Sequence, residues 1–591
     1  MKTLLLHPED SPRRGPWTHH KWDLLVDLGK TAASTAEAWQ KELGCPVLRL
    51  DSFRQGVRDL AYIGNILRSG RGRLVDSERL DWWDLSGILL QAELEFSLLL
   101  LRLAPQLGAG ELFATRSAWQ TNACAALLNR DLHTFGHRAI RCPERQFKRY
   151  GQALRNLSWA QVAEIFFDKY DADYRWRQLL RKQRRVAGDP RVLVPSAYTN
   201  VSRMAAAYAR MLPEQQFLFV TTRRSGTRFE LPPNVSVTAL SSYLSASNSR
   251  QELSCILQKW RLLQSELLNI PEFHLLERCT KFKQFPRIFS QGLAIRDLWR
   301  EVLDREPVTC VFCGDDSNPH TRIPVALAEQ RRLRTIDFHH GALDGRFLLK
   351  TLPSDLYLAK SEMERDYLLR VCGLAPTTVP VGAPRREISC HITKRRSQNS
   401  SQVVLFSEPY ESAGGRADEI YRELLPRLAR IARHSGKKLV IKLHPFESPK
   451  QRSRLIKTLL SREDEAITQV TAGPVSQDFL LQTWFGVTVE STSVLDCTLQ
   501  GVPCFLCRWL VLSSYEYVQQ YARFGVGIIL NAPDQIHTIP SMVDGWERGG
   551  MERRAIWQQI EPQQLSRYLG SAELRSEYEE EVPQVHSSVM P

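Results

Sequence analysis

The sequence predicts an α/β protein of two lobes, each built on a parallel β-sheet. Short apolar strands alternate along the chain with longer helical stretches, a pattern typical of βαβ units. With 591 residues the chain is also too long for one ordinary domain. The best linker between the lobes is the polar, charged stretch 386–402, which has no sustained apolar period.

The N-terminal part of the chain contains a long helical section rich in Arg, Lys and aromatic residues, and apolar strands lie on either side of it. The last twenty or so residues are polar and show no apolar period, so we expect a disordered tail. The predicted regions are an N-terminal lobe over 1–385 (possible subdomains 1–142 and 190–385, helical section 143–189), a C-terminal lobe over 387–545, and a helix with a disordered tail over 546–591.

The net charge of +14 favours phosphorylated ligands, anionic lipid surfaces or nucleic acid. No nucleic-acid-binding motif accompanies the basic residues, so nucleic acid is not an expected partner. The most apolar stretch, 86–105, contains Glu93, Glu95 and Arg102, which argues against a membrane-spanning helix. Because the first residues lack the apolar core of a signal peptide, the sequence predicts a cytoplasmic protein.

Two Cys-x-x-Cys pairs, Cys310–Cys313 and Cys504–Cys507, lie inside apolar runs that are typical of strands. Residues three apart in a strand point to opposite faces of the sheet, which argues against a metal or redox role for the two thiols of a pair. Neither pair has a nearby His or Cys that would complete a zinc site. We therefore interpret these residues as buried strand cysteines and predict no metal site.

The first candidate ligand loop is KLHPFES, at the end of a predicted strand over 438–445. Lys442 and His444 are two residues apart and would share one face of that strand, and Pro445 would end the strand. Both side chains can donate hydrogen bonds to a phosphate group. The alternative is an ordinary strand end with a capped histidine.

The second candidate loop is VESTS, between an apolar strand and a short amphipathic helix. The hydroxyl groups of Ser491, Thr492 and Ser493, together with free N–H groups at a helix start, favour an anion site. Glu490 is suited to accept hydrogen bonds from ribose hydroxyl groups. A single serine here would be only a helix cap.

The third candidate loop is HHG, at the end of a predicted strand over 334–341. His339 and His340 are candidates for a general base or a phosphate donor, and His340 is preferred because it adjoins Gly341. Three supporting residues complete the set. Ser407 and Glu408 begin the loop after the first strand of the C-terminal lobe, and Arg385 lies at the predicted hinge of the cleft.

Taken in order, these elements resemble the GT-B fold glycosyltransferases. The resemblance is greatest to the group of CDP-glycerol glycerophosphotransferases, bacterial polysialyltransferases and capsule polysaccharide transferases. It is carried by His340-Gly341, DLYLAKSEMERDYL and VGAPRR, then by His444-Pro445 and by Thr492-Ser493 with VLDCTLQGVPCF after it, over about residues 308–507. The family's usual TDYSS is VESTS here, and the first 300 residues match nothing in the family.

The resemblance implies two Rossmann-like lobes of GT-B type with a helical insertion in the first. It implies that His444 and the hydroxyl groups of 491–493 hold the donor phosphate, with His340 as base. It also implies a sugar or polyol phosphate moved from a CMP-, CDP- or UDP-linked donor to a cell-surface glycan or lipid-linked acceptor. No cofactor or bound metal is needed, and the inner face of the membrane is a compatible location.

Three alternatives stay open at this point. A nucleotide-sugar 2-epimerase on the same fold would release nucleotide from the donor alone. A non-catalytic scaffold in polysaccharide assembly would bind no nucleotide. A membrane-surface adaptor would use the basic residues at 175–185 to bind liposomes in a salt-sensitive way.

Overall fold

The computed structural model describes residues 1–135, 189–222, 229–243, 249–314, 319–350, 354–385, 400–546 and 556–570. Several predicted features therefore lie outside the described residues. They are almost all of the helical section 143–189 with its basic residues, most of the linker 386–402, and the tail beyond 570.

Three sheets are present in the described residues, and every strand pair in them is parallel. This arrangement confirms the predicted α/β class with Rossmann-like lobes. The region predicted as one N-terminal lobe holds two of the three sheets.

The first sheet has the strand order β3-β2-β1-β4-β5. Its strands are β1 (Lys2–Leu6), β2 (Leu24–Asp27), β3 (Val47–Arg49), β4 (Glu111–Ala114) and β5 (Leu132–Thr134). The helices in this part of the chain are Ala33–Leu43, Val57–Arg68, Trp82–Ser86, Gln91–Leu103 and Trp119–Leu128.

The second sheet has the order β11-β10-β9-β6-β7-β8. Its strands are β6 (Arg191–Ser196), β7 (Gln216–Thr221), β8 (Val235–Ala239), β9 (Val308–Cys313), β10 (Arg334–Asp337) and β11 (Leu356–Tyr357). The accompanying helices are Thr199–Ala209, Ser249–Leu267, Pro271–Arg278, Phe285–Arg305, Pro319–Gln330 and Glu362–Arg370.

The third sheet has the order β14-β13-β12-β15-β16-β17. Its strands are β12 (Gln402–Phe406), β13 (Lys438–Lys442), β14 (Thr468–Thr471), β15 (Thr483–Thr488), β16 (Cys504–Cys507) and β17 (Ile528–Leu530). The accompanying helices are Ala417–His434, Pro449–Leu459, Arg462–Ala466, Gln477–Leu481, Ser493–Leu499, Tyr517–Arg523 and Ile539–Trp546. After them the chain crosses back, and the helix Pro562–Leu569 packs on the second sheet.

The strands read as continuous apolar runs because helices cover both faces of each parallel sheet. In β12, Val403 and Leu405 pack in one core cluster, while Val404 and Phe406 pack in the cluster on the other face. The four cysteines of the Cys-x-x-Cys pairs are buried free thiols, and the two members of each pair belong to different clusters. Their interpretation as buried strand cysteines on opposite faces is confirmed.

Arg416 joins the third-sheet region to the first sheet. Its guanidinium is buried and forms an ion pair with Asp27, whose side chain is 0% exposed. The remaining N–H groups donate to the carbonyl oxygens of His7 (3.2 Å) and Asp10 (2.7 Å) and to Thr31 Oγ1. All five guanidinium N–H groups therefore find acceptors at the carboxyl ends of β1 and β2.

The segment Leu512–Tyr517 contacts all three sheet regions. Ser513 donates to Glu490 at the end of β15, and the hydroxyl of Tyr515 bonds to Gln91 beside the first sheet. The Tyr515 carbonyl accepts from the hydroxyl of Tyr367, in the second-sheet region (2.7 Å).

Among the described residues there is no helix long and apolar enough to span a bilayer.

Candidate functional site

A cavity of about 390 Å³ opens between the second and third sheets. This volume lies within the range of small-molecule sites in proteins. The second-sheet side, the third-sheet side and the returning C-terminal segment all contribute to its walls. The lining residues are Asn200, Arg203, Met204, Ala207, His340, Gly341, Ala342, Lys360, Pro384, Arg385, Thr492, Leu495, Asp496 and Trp557. The structure thus brings the HHG and VESTS loops together, as expected if both serve one site.

The HHG turn places its two histidines differently. Strand β10 ends at Asp337, and the exposed His340 lines the cavity beside Gly341. His339 is partly buried, and among the described residues its Nδ1 atom has no hydrogen-bond partner. Desolvation lowers the pKa of His339 well below its usual value. A Cβ placed on Gly341 would lie 2.8 Å from the His339 ring, so any larger residue here would require that ring to shift.

The side chain of Lys360 holds the HHG turn through a hydrogen bond to its backbone. Its Nζ donates to the carbonyl oxygen of His339 (2.8 Å) and to both carboxylate oxygens of Glu364 (2.8 and 2.9 Å). Glu364 also accepts from the Tyr357 hydroxyl and the Lys360 N–H, and burial raises its pKa. Because the three donors of the ammonium group are all used, the Lys360 side chain is fixed in position where it lines the cavity.

Two arginines on the second-sheet side face the cavity without a carboxylate partner among the described residues. Arg203 is exposed on the helix Thr199–Ala209 and lies 5.8 Å from the ring centre of Phe229. Arg385, predicted at the hinge, is exposed and lines the same cavity. Unpaired guanidinium groups in a partly enclosed site favour an anionic ligand.

The VESTS loop presents Thr492 to the cavity as an exposed side chain. Ser491 Oγ lies 3.2 Å from Ser493 Oγ, and the following helix, Ser493–Leu499, has only seven residues. Glu490 points away toward the segment Leu512–Tyr517, where its carboxylate accepts from two backbone N–H groups and a serine hydroxyl. In this structure Glu490 therefore holds the loop in place.

Glu408 is the second carboxylate at this edge of the third sheet. Its Oε1 atom accepts from the Thr488 hydroxyl (2.9 Å) and from the N–H groups of Val489 (3.2 Å) and Glu490 (2.9 Å). Burial, followed by the nearby charge of Glu490, raises the pKa of Glu408 from 4.5 to about 7. Protonation of this carboxyl group is thus favoured in the folded chain.

This shift predicts a pH-dependent stability. A group with a raised pKa in the folded state binds its proton more tightly there, so its contribution is fully present below about pH 4.5 and is lost as the pH rises through about 7. Glu408→Gln keeps the acceptor for the three donors and should flatten this fall. Melting temperatures between pH 5 and 8 measure the effect, with the exposed Glu37→Gln as control. Equal slopes for the wild type and Glu408→Gln would contradict the prediction.

Of the predicted site residues, only His340, Thr492 and Arg385 line the cavity. The others do not: His339, Ser407, Glu408, Lys442, His444, Glu490, Ser491 and Ser493. Lys442 is buried with its Nζ bonded to the carbonyl oxygen of Gly473. Ser407 is buried and bonds to the hydroxyl of Tyr421 and to Glu447. His444 is partly buried after the end of β13, where its backbone N–H donates to Glu447 (2.8 Å) and desolvation lowers the pKa of its ring.

Sequence reasoning missed Arg203 and Lys360. A signal was present for both: Lys360 lies within the quoted DLYLAKSEMERDYL element, and Arg203 lies on the helix that follows β6. Their role in one cavity depends on the packing of the second sheet against the third, which the local pattern does not contain.

No model of a known protein family matches the sequence, and no curated protein matches it significantly. Among solved structures, the chain is similar to a Methanocaldococcus jannaschii UDP-GlcNAc 2-epimerase, with 11% identity, TM-score 0.41 and coverage of 64% of this chain and 99% of that one. It is also similar to S. aureus MnaA with UDP, with 11% identity, TM-score 0.38 and coverage of 63% and 93%. CalG4, the calicheamicin glycosyltransferase, shows 12% identity, TM-score 0.35 and coverage of 67% and 100%. At these values the neighbours, which include both epimerases and glycosyltransferases, assign neither a reaction nor a ligand to the chain.

Proposed function

We propose that the chain is a transferase that moves a sugar or a polyol phosphate from a nucleotide-activated donor to an acceptor hydroxyl. The proposal is supported chiefly by the cavity between the second and third sheets, where His340 and Thr492 share the lining with two arginines that have no carboxylate partner among the described residues. An imidazole, a loop of hydroxyl groups and nearby guanidinium groups are suited to transfer from a phosphate-linked donor.

In this proposal the third-sheet side binds the donor. The hydroxyl groups of Ser491, Thr492 and Ser493 contact its phosphate, together with His444 from the neighbouring loop. A CMP-, CDP- or UDP-linked donor fits the resemblance described above. The acceptor, a glycan or a lipid-linked glycan, enters from the second-sheet side past Arg203 and Arg385.

The reaction is a single displacement. His340 takes the proton of the acceptor hydroxyl, and the acceptor oxygen attacks the donor carbon or phosphorus. The bond from that atom to the leaving phosphate oxygen breaks, and the nucleotide leaves with the electron pair. The positive charge of Arg203 and Arg385 and the hydroxyl groups of the VESTS loop offset the charge on the leaving nucleotide, so no bound metal is required.

A thermal-shift screen with CMP, CDP, UDP, GDP and TDP tests the donor half of the proposal. The matching nucleotide at about 100 times its Kd should stabilise the chain by about 2.7 kcal/mol and raise the melting temperature by several degrees. Thr492→Ala and Ser493→Ala should reduce the shift. The exposed Thr458→Ala, on the helix Pro449–Leu459 of the same lobe, serves as matched control.

The outcomes of the screen separate the alternatives. If the chain is a scaffold, no nucleotide should shift its melting temperature, and that result would contradict the proposal. Nucleotide release from the matching donor alone, with no acceptor present, would favour the 2-epimerase instead. Release that requires an acceptor favours the transferase.

A further inference from the structure

The HPFES loop carries an aromatic side chain, Phe446, that is largely exposed in the described structure. Phe446 is 78% exposed, more than any other large hydrophobic side chain among the described residues; the next is Leu262 at 66%. The exposure of one large apolar side chain on a surface needs no explanation by itself. Phe446, however, lies at the carboxyl edge of a parallel sheet, where ligands of such folds bind.

The loop that presents Phe446 is firmly held. Glu447, the next residue, is buried and accepts from Ser407 Oγ (2.8 Å), the His444 N–H (2.8 Å) and Arg452 Nε (2.7 Å). The N–H of Phe446 itself donates to His444 Nδ1 (3.2 Å). The backbone on both sides of the ring is therefore fixed, and its exposure is a property of the folded loop.

The position of the ring is also defined relative to the predicted phosphate residues. Strand β13 neighbours β12, which in turn neighbours β15. The loops that follow these adjacent strands, HPFES (444–448), SEPYES (407–412) and VESTS (489–493), therefore lie at one edge of the sheet. Ligands of parallel α/β sheets bind at this carboxyl edge. The Phe446 and His444 rings have centroids 5.0 Å apart and planes tilted by 59°.

A second exposed loop, residues 472–474, follows β14 and lies beside the HPFES loop. The Lys442 ammonium group holds the carbonyl oxygen of Gly473, which fixes the loop after β14 beside the HPFES loop. Ala472, Gly473 and Pro474 are exposed, and no atom lies within 4 Å of a Cβ placed on Gly473. The exposed residues 472–474 therefore lie next to the strand end that carries the HPFES loop.

We propose that the nucleobase of the nucleotide ligand stacks on the ring of Phe446, with His444 on the phosphate side of the base. This inference rests on the proposed function, because it concerns the same nucleotide. Stacking on an aromatic side chain is tolerant of base identity, so Phe446 supplies affinity and does not choose the base.

Calorimetric titration tests this inference, using whichever nucleotide gives the largest thermal shift and inorganic pyrophosphate as its competitor. Phe446→Ala should weaken nucleotide binding about 10- to 100-fold and leave the inhibition constant of pyrophosphate unchanged. Phe446→Tyr should bind like the wild type. Leu262→Ala, which removes the other strongly exposed apolar side chain, is the matched control.

Failure of the proposed function and failure of the stacking inference give different results. A wild-type chain that binds no nucleotide overturns the proposed function and this inference together. Normal nucleotide binding by Phe446→Ala overturns the inference alone, and so does an equal loss of pyrophosphate binding, which would indicate a distorted loop. If Phe446→Ala instead lost binding to vesicles of phosphatidylglycerol and phosphatidylcholine while keeping its nucleotide affinity, the ring would be a membrane contact, and the inference would be wrong.

Discussion

Replacement of His340 by alanine is expected to lower the turnover number by about 10²- to 10⁴-fold, the usual contribution of a general base. His340 is the exposed histidine of the HHG turn and faces the cavity, so it can reach an acceptor hydroxyl. Steady-state assays with the matching donor and acceptor measure the effect. The loss should fall on kcat, because the base acts on the reacting oxygen and not on the nucleotide.

The controls for His340 separate catalysis from folding. His274 is an exposed histidine on the helix Pro271–Arg278, outside the cavity lining, and His274→Ala should keep full activity. His340→Ala should keep the wild-type melting temperature and the nucleotide-induced shift. A His340→Ala enzyme that turns over the true substrates at the wild-type rate would remove this residue from the mechanism.

The second large effect is expected at Arg416. Arg416→Met should destabilise the contact between the first and third sheets by about 3–5 kcal/mol, because it leaves the fully buried Asp27 without its partner. It also removes the donors to the carbonyl oxygens of His7 and Asp10. Local opening free energies from hydrogen exchange of β1 and β2 are the appropriate measurement, because a chain of this size need not unfold in one step.

A double variant shows how much of that loss comes from the unpaired charge. Asp27→Asn keeps the acceptor for the N–H of Gly29 while removing the negative charge. The double variant Arg416→Met/Asp27→Asn should therefore recover a large part of the loss. If the single and double variants opened equally easily, the buried charge would not be the cause.

Most of the sheet architecture follows from the sequence. Strands such as β12 and β15 were predictable because both of their faces are buried, which leaves an apolar run with a turn after it. The predicted strand ends were less accurate at two loops. The strand predicted over 334–341 stops at Asp337, since the His339 carbonyl accepts from the Lys360 side chain and not from a strand.

The same reason applies to the strand predicted over 438–445. It stops at Lys442, and the N–H of His444 donates to the Glu447 carboxylate instead of a neighbouring strand. The alternation that would place Lys442 and His444 on one face therefore does not extend to His444. Side-chain to backbone bonds of this kind compete with strand pairing, and their partners cannot be read from local hydrophobicity.

The candidate site was only partly predictable. His340, Thr492 and Arg385 line one cavity, which agrees with the placement of their loops at strand ends. Contacts between distant parts of the chain gave no local signal. Arg416 and Asp27, for example, are 389 positions apart, and neither stands in a recognisable motif.

The segment Leu512–Tyr517 has a consequence for sequence variation among related proteins. Surface loops ordinarily tolerate inserted or deleted residues, because few contacts depend on their length. Here Leu512, Ser513 and Tyr515, within six consecutive residues, bond to residues of three different sheet regions: Glu490, Gln91 and Tyr367. One inserted residue would shift at least one of these contacts by the length of a peptide unit. We therefore expect related sequences to keep the length of this segment fixed, even where other surface loops differ in length.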